Sequence, residues 1–263
     1  LEELLQISKF EIEVVSKETD LTSYENLVLL VIRDKWEEQI RWLTNLKLKG
    51  KKFKVIHFSD EFEQDPCFFY SWPETIGILR FYPRKDIDNE KVLSIPLGYH
   101  WKTEHKISSA ANIEERPFLW TFNGTNWKGR SEQLKPLMAL EPNCVELYNE
   151  WNHPSQLNKE DYMQLLLNSK FIPCPRGNNI ETFRLYEALE CGCIPVFTKL
   201  PISLENSGIP FIKTETWQDV VNLIDEMNKN PLEMAKYNKS IMQGWKSYKL
   251  HLKQAVTRWL SLA

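Results

Sequence analysis

Two rhythms of apolar positions alternate along this chain. LVLLVI (27–32) is a continuous apolar run of strand length. It leads into WEEQIRWLTNLKLKG (36–50), where apolar residues recur at spacings of three and four before a closing glycine. The first rhythm predicts a buried strand and the second an amphipathic helix. Strands are predicted next at FKVIHF (53–58), IGILRFY (76–82) and VLSIPLGY (92–99). A polar stretch from Lys102 to Arg116 interrupts the alternation, which then restarts. Beyond it the pattern predicts strands at FLWTFNG (118–124), CVELY (144–148), KFIPCP (170–175), IPVF (194–197) and IPFI (209–212). Helices are predicted over 130–140, 159–169, 181–191 and 215–227, and the tail from Pro231 reads as helix, with Trp245 and Trp259 as packing anchors.

Short apolar strands alternating with helices indicate an α/β architecture with parallel sheets. The interruption places a domain boundary at 112/113, giving an N-terminal unit of residues 1–112 and a C-terminal unit of 113–263 with a long helical segment. Open α/β sheets bind ligands beyond the carboxyl ends of their strands, so two such halves are expected to hold a ligand in the cleft between those ends.

Composition narrows this picture only in places. At 263 residues, with 42% hydrophobic and 26% charged residues, the chain is long enough to bury a real core. A net charge of −3 argues against general nucleic-acid binding, and Lys49, Lys51, Lys52 and Lys54 read as a solvated helix end and strand entry. No apolar run reaches the roughly 18 residues of a membrane span. The five cysteines lack metal spacing and are expected to be free thiols, which favours the cytoplasm. The chain begins at Leu1 without Met, and an anchor removed ahead of it would place the protein in the lumen of the secretory pathway. Two sequons, at Asn123 and Asn238, are short enough to arise by chance. Ten tryptophans hint at carbohydrate.

The candidate chemistry lies in CPRGNNIETFRLYEALECGCIPV (174–196). A strand, a turn containing Gly177, Asn178 and Asn179, and then a helix would leave free backbone N–H groups at the helix start, an anion site. Asn178 followed three residues later by Glu181 reads as a capping box, with Thr182 beside it. Arg184 and Glu187 share a helix face: a guanidinium fork suits a phosphate, and a carboxylate suits a pair of ribose hydroxyls. Together they suggest a receptor for a nucleoside diphosphate, able to stabilise it as a leaving group.

The same stretch resembles the signature of the exostosin-like glycosyltransferases, glycosyltransferase family 47, most strongly over 171–197. FLWTFNGTNWKGRSEQL (118–134) is similar to the strand–glycine–loop–arginine segment that opens the family's donor-binding half. The resemblance implies a GT-B fold of two Rossmann-like domains, with an N-terminal acceptor-binding and a C-terminal nucleotide-sugar-binding unit. It further implies a nucleotide-sugar donor and a glycan acceptor. Arg184 would bind the donor diphosphate and Glu187 the ribose. Arg130, after the Gly124 and Gly129 loop, would be a second phosphate contact, with Lys128 beside it. Compact xylosyltransferase members of the family, viral and ribitol-type ones among them, carry a similar motif, so the implied donor is UDP-xylose.

An inverting transfer needs a general base. VIHFSDEF (55–62) sets His57, Asp60 and Glu61 at or past the end of a strand, and Asp60 is favoured over Glu61. LGYHW (97–101) offers Tyr99, His100 and Trp101 for the acceptor. The Asp86–Ile87–Asp88 triplet has the form of a metal motif but lies in a charged loop and reads as solvated, so no metal is expected. The competing function is a non-catalytic nucleotide-sugar or glycan-binding protein of the same fold. A phosphotransferase is disfavoured by the absence of a GxxxxGK[ST] loop.

Overall fold

The computed structural model describes residues 20–32, 35–58, 60–87, 89–100, 111–151 and 153–261. Among them lie eight strands in two four-stranded, wholly parallel sheets. The first sheet has the order β1 (Leu27–Val31), β2 (Phe53–His57), β3 (Thr75–Arg80) and β4 (Val92–Ser94). The second contains β5 (Phe118–Thr125), β6 (Asn143–Tyr148), β7 (Ser169–Pro173) and β8 (Ile194–Val196) in the order β6-β5-β7-β8. The helices are α1 (Trp36–Leu48), α2 (Arg130–Leu134), α3 (Lys159–Leu167), α4 (Phe183–Glu190), α5 (Trp217–Lys229) and α6 (Pro231–Leu260).

The central strands β2 and β5 are buried almost end to end, as parallel strands covered on both faces must be. In the first unit Leu43 and Leu46 of α1 pack onto Phe53, Val55 and Ile78. Gln39, polar yet buried, is accommodated because its amide donates to Leu30 O at 3.1 Å and accepts from Ile32 N at 2.9 Å.

Compactness assigns the described residues up to Pro96, together with those from Lys249 onward, to one unit, and Leu97–Tyr248 to the other. The division thus falls earlier than the expected 112/113, and the end of α6 belongs with the first unit. Two contacts explain why. Trp259 lies where any side chain at Gly77 of β3 would stand, 2.8 Å from an added Cβ. Lys54 of β2 reaches Leu260 O at 2.8 Å, placing a cation on the carbonyl end of α6. Trp245 and Trp259 are both buried, as the tail pattern predicts.

Besides β4, which ends at Ser94 rather than running on to Tyr99 as predicted, two elements differ from expectation. The predicted helix over 130–140 is α2 followed by a 3-10 turn, Lys135–Ala139, because Pro136 has no N–H to continue an α ladder. The predicted strand at 209–212 is irregular: Phe211 N bonds to Ile209 O and Ile212 N to the Tyr237 hydroxyl, so neither donor joins a ladder. All five cysteines are free, with Cys174, Cys191 and Cys193 buried.

Candidate functional site

In the second unit the loops after β5 and β7 bring two arginines together. Past Thr125 the chain takes consecutive left-handed residues, Lys128 (φ 55) and Gly129 (φ 72), and turns into α2 at Arg130. Arg130 is buried and donates to Thr125 O (3.1 Å) and Arg176 O (3.4 Å). Arg184, in the first turn of α4, donates to Asn123 O at 2.5 Å and lies 4.1 Å above the Phe122 ring. Both approaches depend on glycine. An added Cβ on Gly124 would stand 2.6 Å from Arg184 Nη2, and one on Gly177 would stand 3.1 Å from Arg130 Nη2.

Neither guanidinium forms a salt bridge with a carboxylate among the described residues. Burial and the charge of Arg184 pull the Arg130 guanidinium down to about 10. Two like charges held in a partly desolvated place, hydrogen-bonded to neutral carbonyls and with buried Glu187 near Arg184, are an arrangement that a bound anion would relieve. The Thr182 hydroxyl, at the N-cap of α4, is buried without a partner among the described residues, and no side chain caps the helix. With no side-chain cap, the start of α4 leaves first-turn N–H groups beside Arg184, apart from Leu185 N, which bonds back to Thr182 O at 3.2 Å.

Several expected roles are corrected. Asn178 and Glu181 form no capping box, since α4 begins two residues later than predicted, at Phe183. Asn178 Oδ1 accepts from Trp127 Nε1 at 2.8 Å. Glu181 is buried and its Oε1 accepts from Leu97 N (2.7 Å), the Ser203 hydroxyl (2.9 Å) and the Tyr186 hydroxyl. Burial pushes its carboxyl up, against the pull of those donors. Asn179 shapes the turn: its Oδ1 accepts from Glu181 N at 3.0 Å, and its carbonyl accepts from Gly177 N at 2.9 Å.

Glu187, expected on a ribose, is buried. It accepts from the Tyr162 hydroxyl at 2.9 Å and from the His100 backbone, and burial raises its pKa despite nearby Arg184. Its contacts lie within the protein. The Lys128 ammonium lies 5.8 Å from the centroid of the Trp127 ring, and the side chain is exposed.

In the first unit Asp60 (φ 96) is 1% exposed and its carboxylate is saturated. Oδ1 accepts from Gln64 N (2.6 Å) and Asp65 N (2.7 Å), while Oδ2 pairs with buried Arg80 and with Arg84 at 3.3 Å. It is a structural counter-ion, and no lone pair remains to take an acceptor's proton. His57 is likewise enclosed between the Tyr70 hydroxyl (2.6 Å) and Asp65 (3.1 Å), with burial lowering its pKa. Glu61 beside them is only partly buried. Asp86 pairs with Arg84 at 2.5 Å, and Asp88 lies outside the described residues, as does Trp101. Among the described residues no helix is long and apolar enough to cross a membrane.

Pattern reading passes over Trp127. The signal was present, an aromatic between Asn126 and Gly129 in an otherwise polar loop.

Residues 99–262 match the family described as RXYLT1 C-terminal domain. The chain is 29% identical over 170 residues to ribitol-5-phosphate xylosyltransferase 1 of Homo sapiens, covering 56% of this chain and 38% of that protein. With the Mus musculus protein of the same name it is 26% identical over 201 residues, covering 66% and 45%. A shorter match, 38% over 72 residues, joins 27% of this chain to 9% of exostosin-1 of Drosophila melanogaster. The chain thus spans less than half the length of these relatives.

Proposed function

Because this chain belongs to the RXYLT1 C-terminal domain family, we propose that it is a glycosyltransferase that moves a sugar from a UDP-sugar to a glycan hydroxyl. The observation that carries this reading is the pair of Arg130, buried, and Arg184, half-buried, held close together with no salt bridge to a carboxylate among the described residues. A donor diphosphate is the dianion such a pair suits, and the Thr182 hydroxyl and α4 N-terminus add uncharged donors. The relatives' names support xylose as the sugar and make ribitol-5-phosphate the first acceptor to test. As part of the same proposal, the two parallel-sheet units form a GT-B fold.

The proposed reaction is a single displacement with inversion. The acceptor hydroxyl oxygen attacks the anomeric carbon, the bond from that carbon to the diphosphate oxygen breaks, and the diphosphate leaves with the bonding electrons onto Arg130 and Arg184. The hydroxyl proton passes to a general base, for which Glu61 replaces the saturated Asp60.

Calorimetric titration with a panel of nucleotide sugars tests the donor site, and an assay of nucleotide release without acceptor separates an enzyme from a binding protein. Since two guanidiniums supply the positive charge, transfer is expected to persist in excess EDTA. Loss of activity there with rescue by Mn²⁺ would refute metal independence.

A further inference from the structure

Trp127 has the properties of a binding surface rather than of a core residue. It is 49% exposed, whereas Trp120 and Trp245 of the same unit are 0% and 5% exposed. Yet it is held firmly. Its Nε1–H donates to Asn178 Oδ1 at 2.8 Å, its backbone N–H to Thr125 O at 2.8 Å, and Asn126 before it bonds to Tyr148 O at 2.7 Å. Asn126 Oδ1 closes the loop by accepting from Ser131 N at 2.9 Å. Lys128 after it adopts a left-handed conformation (φ 55) without being glycine, a strained arrangement. With its one polar atom already bonded inside the protein, the ring shows an apolar π face to solvent.

We propose that Trp127 is the platform on which the donor's sugar stacks, and so the residue that distinguishes a nucleotide sugar from the free nucleotide. This rests on the nucleotide-sugar reading above. The diphosphate is placed by Arg130 and Arg184, and a nucleotide sugar carries its nucleoside and its sugar at opposite ends of that group. Trp127 belongs to the Arg130 end. It lies on the loop that delivers Arg130, and its anchor Asn178 follows Gly177, whose Cα faces Arg130 Nη2. Arg184 instead leads along α4 into the protein, toward Glu187 and Tyr162. A pyranose offers a face of C–H bonds whose burial against a π surface is favourable, and a preorganised ring loses little entropy in receiving it.

The test is calorimetry of the whole chain with pyrophosphate, UDP and UDP-xylose. Trp127→Ala should weaken UDP-xylose by about five- to tenfold while leaving UDP within about twofold of wild type. Trp127→Phe should restore most of the loss. Equal weakening of UDP and UDP-xylose overturns the inference in favour of a nucleobase or loop-ordering role, and unchanged affinity for both overturns it outright. If wild type binds pyrophosphate but favours neither nucleotide ligand over it, the nucleotide-sugar reading itself falls and takes the inference with it. Retained UDP binding in Trp127→Ala also establishes that the variant is folded.

Discussion

Arg184 and Asp60 show how differently two charged side chains can serve. Arg184 bonds a carbonyl, lies over an aromatic face and forms no salt bridge among the described residues. Nearby buried Glu187, whose pKa burial already raises, can take up a proton when the guanidinium is gone, so removing Arg184 should cost the fold little. Arg184→Ala is expected to weaken UDP by about 1.5–3 kcal/mol, the worth of a charge-assisted phosphate contact, with an unchanged melting temperature. Wild-type affinity in the folded variant would end the phosphate role. Asp60 is the reverse case. Asp60→Asn leaves buried Arg80 uncompensated and should destabilise by about 3–5 kcal/mol, as for other broken buried pairs. Glu61→Gln should lower the rate by about 10²–10⁴ without that loss of stability. Denaturant melts and turnover of both variants separate the two roles. A stable, fully active Glu61→Gln would send the search for the base elsewhere.

The loop and helix at residues 174–190 show what a local pattern captures. The strand, the turn and the amphipathic helix are legible because burial imposes their periods, and Arg184 stands out as the cation nearest the helix start. The helix start itself is not legible in this way. Asn178 and Glu181 have capping-box spacing, but Glu181 is claimed by Leu97 N, a partner 84 residues away that no local rule can see. The fate of Asp60 was hidden in the same manner, since Arg80 comes from a neighbouring strand. A pH experiment tests the Glu181 cluster. Burial raises its folded-state pKa, so its contribution to stability is full below the unfolded value of about 4.5 and is lost as pH rises through the folded value. Gln at this position can still accept all three hydrogen bonds at Oε1 without bearing a charge. The melting temperature of Glu181→Gln relative to wild type should therefore climb as pH rises from 4 to neutrality, and a difference that does not change with pH would show that the carboxyl is not strained by burial.

At the scale of the molecule, the α/β alternation and both parallel sheets are legible from apolar runs, but the allocation of the C-terminal helix is not. An amphipathic helix announces that it will bury a face, not which sheet receives it. Here α6 is shared, with its residues from Lys249 assigned to the first unit, where Trp259 fills the space above Gly77 and Leu260 O takes the Lys54 ammonium. The expected boundary at 112/113 itself lies within the second unit. This has a consequence for truncation. Ending the chain at Tyr248 removes the buried side chains of Leu252, Val256 and Trp259, each worth about 1.5–3 kcal/mol of apolar burial. It also strands Lys54 within a buried strand. The first unit should then fail to fold. The residues of the guanidinium pair, Arg130 and Arg184, with Gly124, Gly177 and Thr182, all lie within Leu97–Tyr248, and the truncated chain should still bind UDP. Hydrogen exchange with and without UDP reads both halves of this claim: amides of β2 and β3 lose protection, while those of β5 and β7 keep it and gain more with ligand. Loss of UDP binding on truncation would show that the second unit does not hold the donor site by itself.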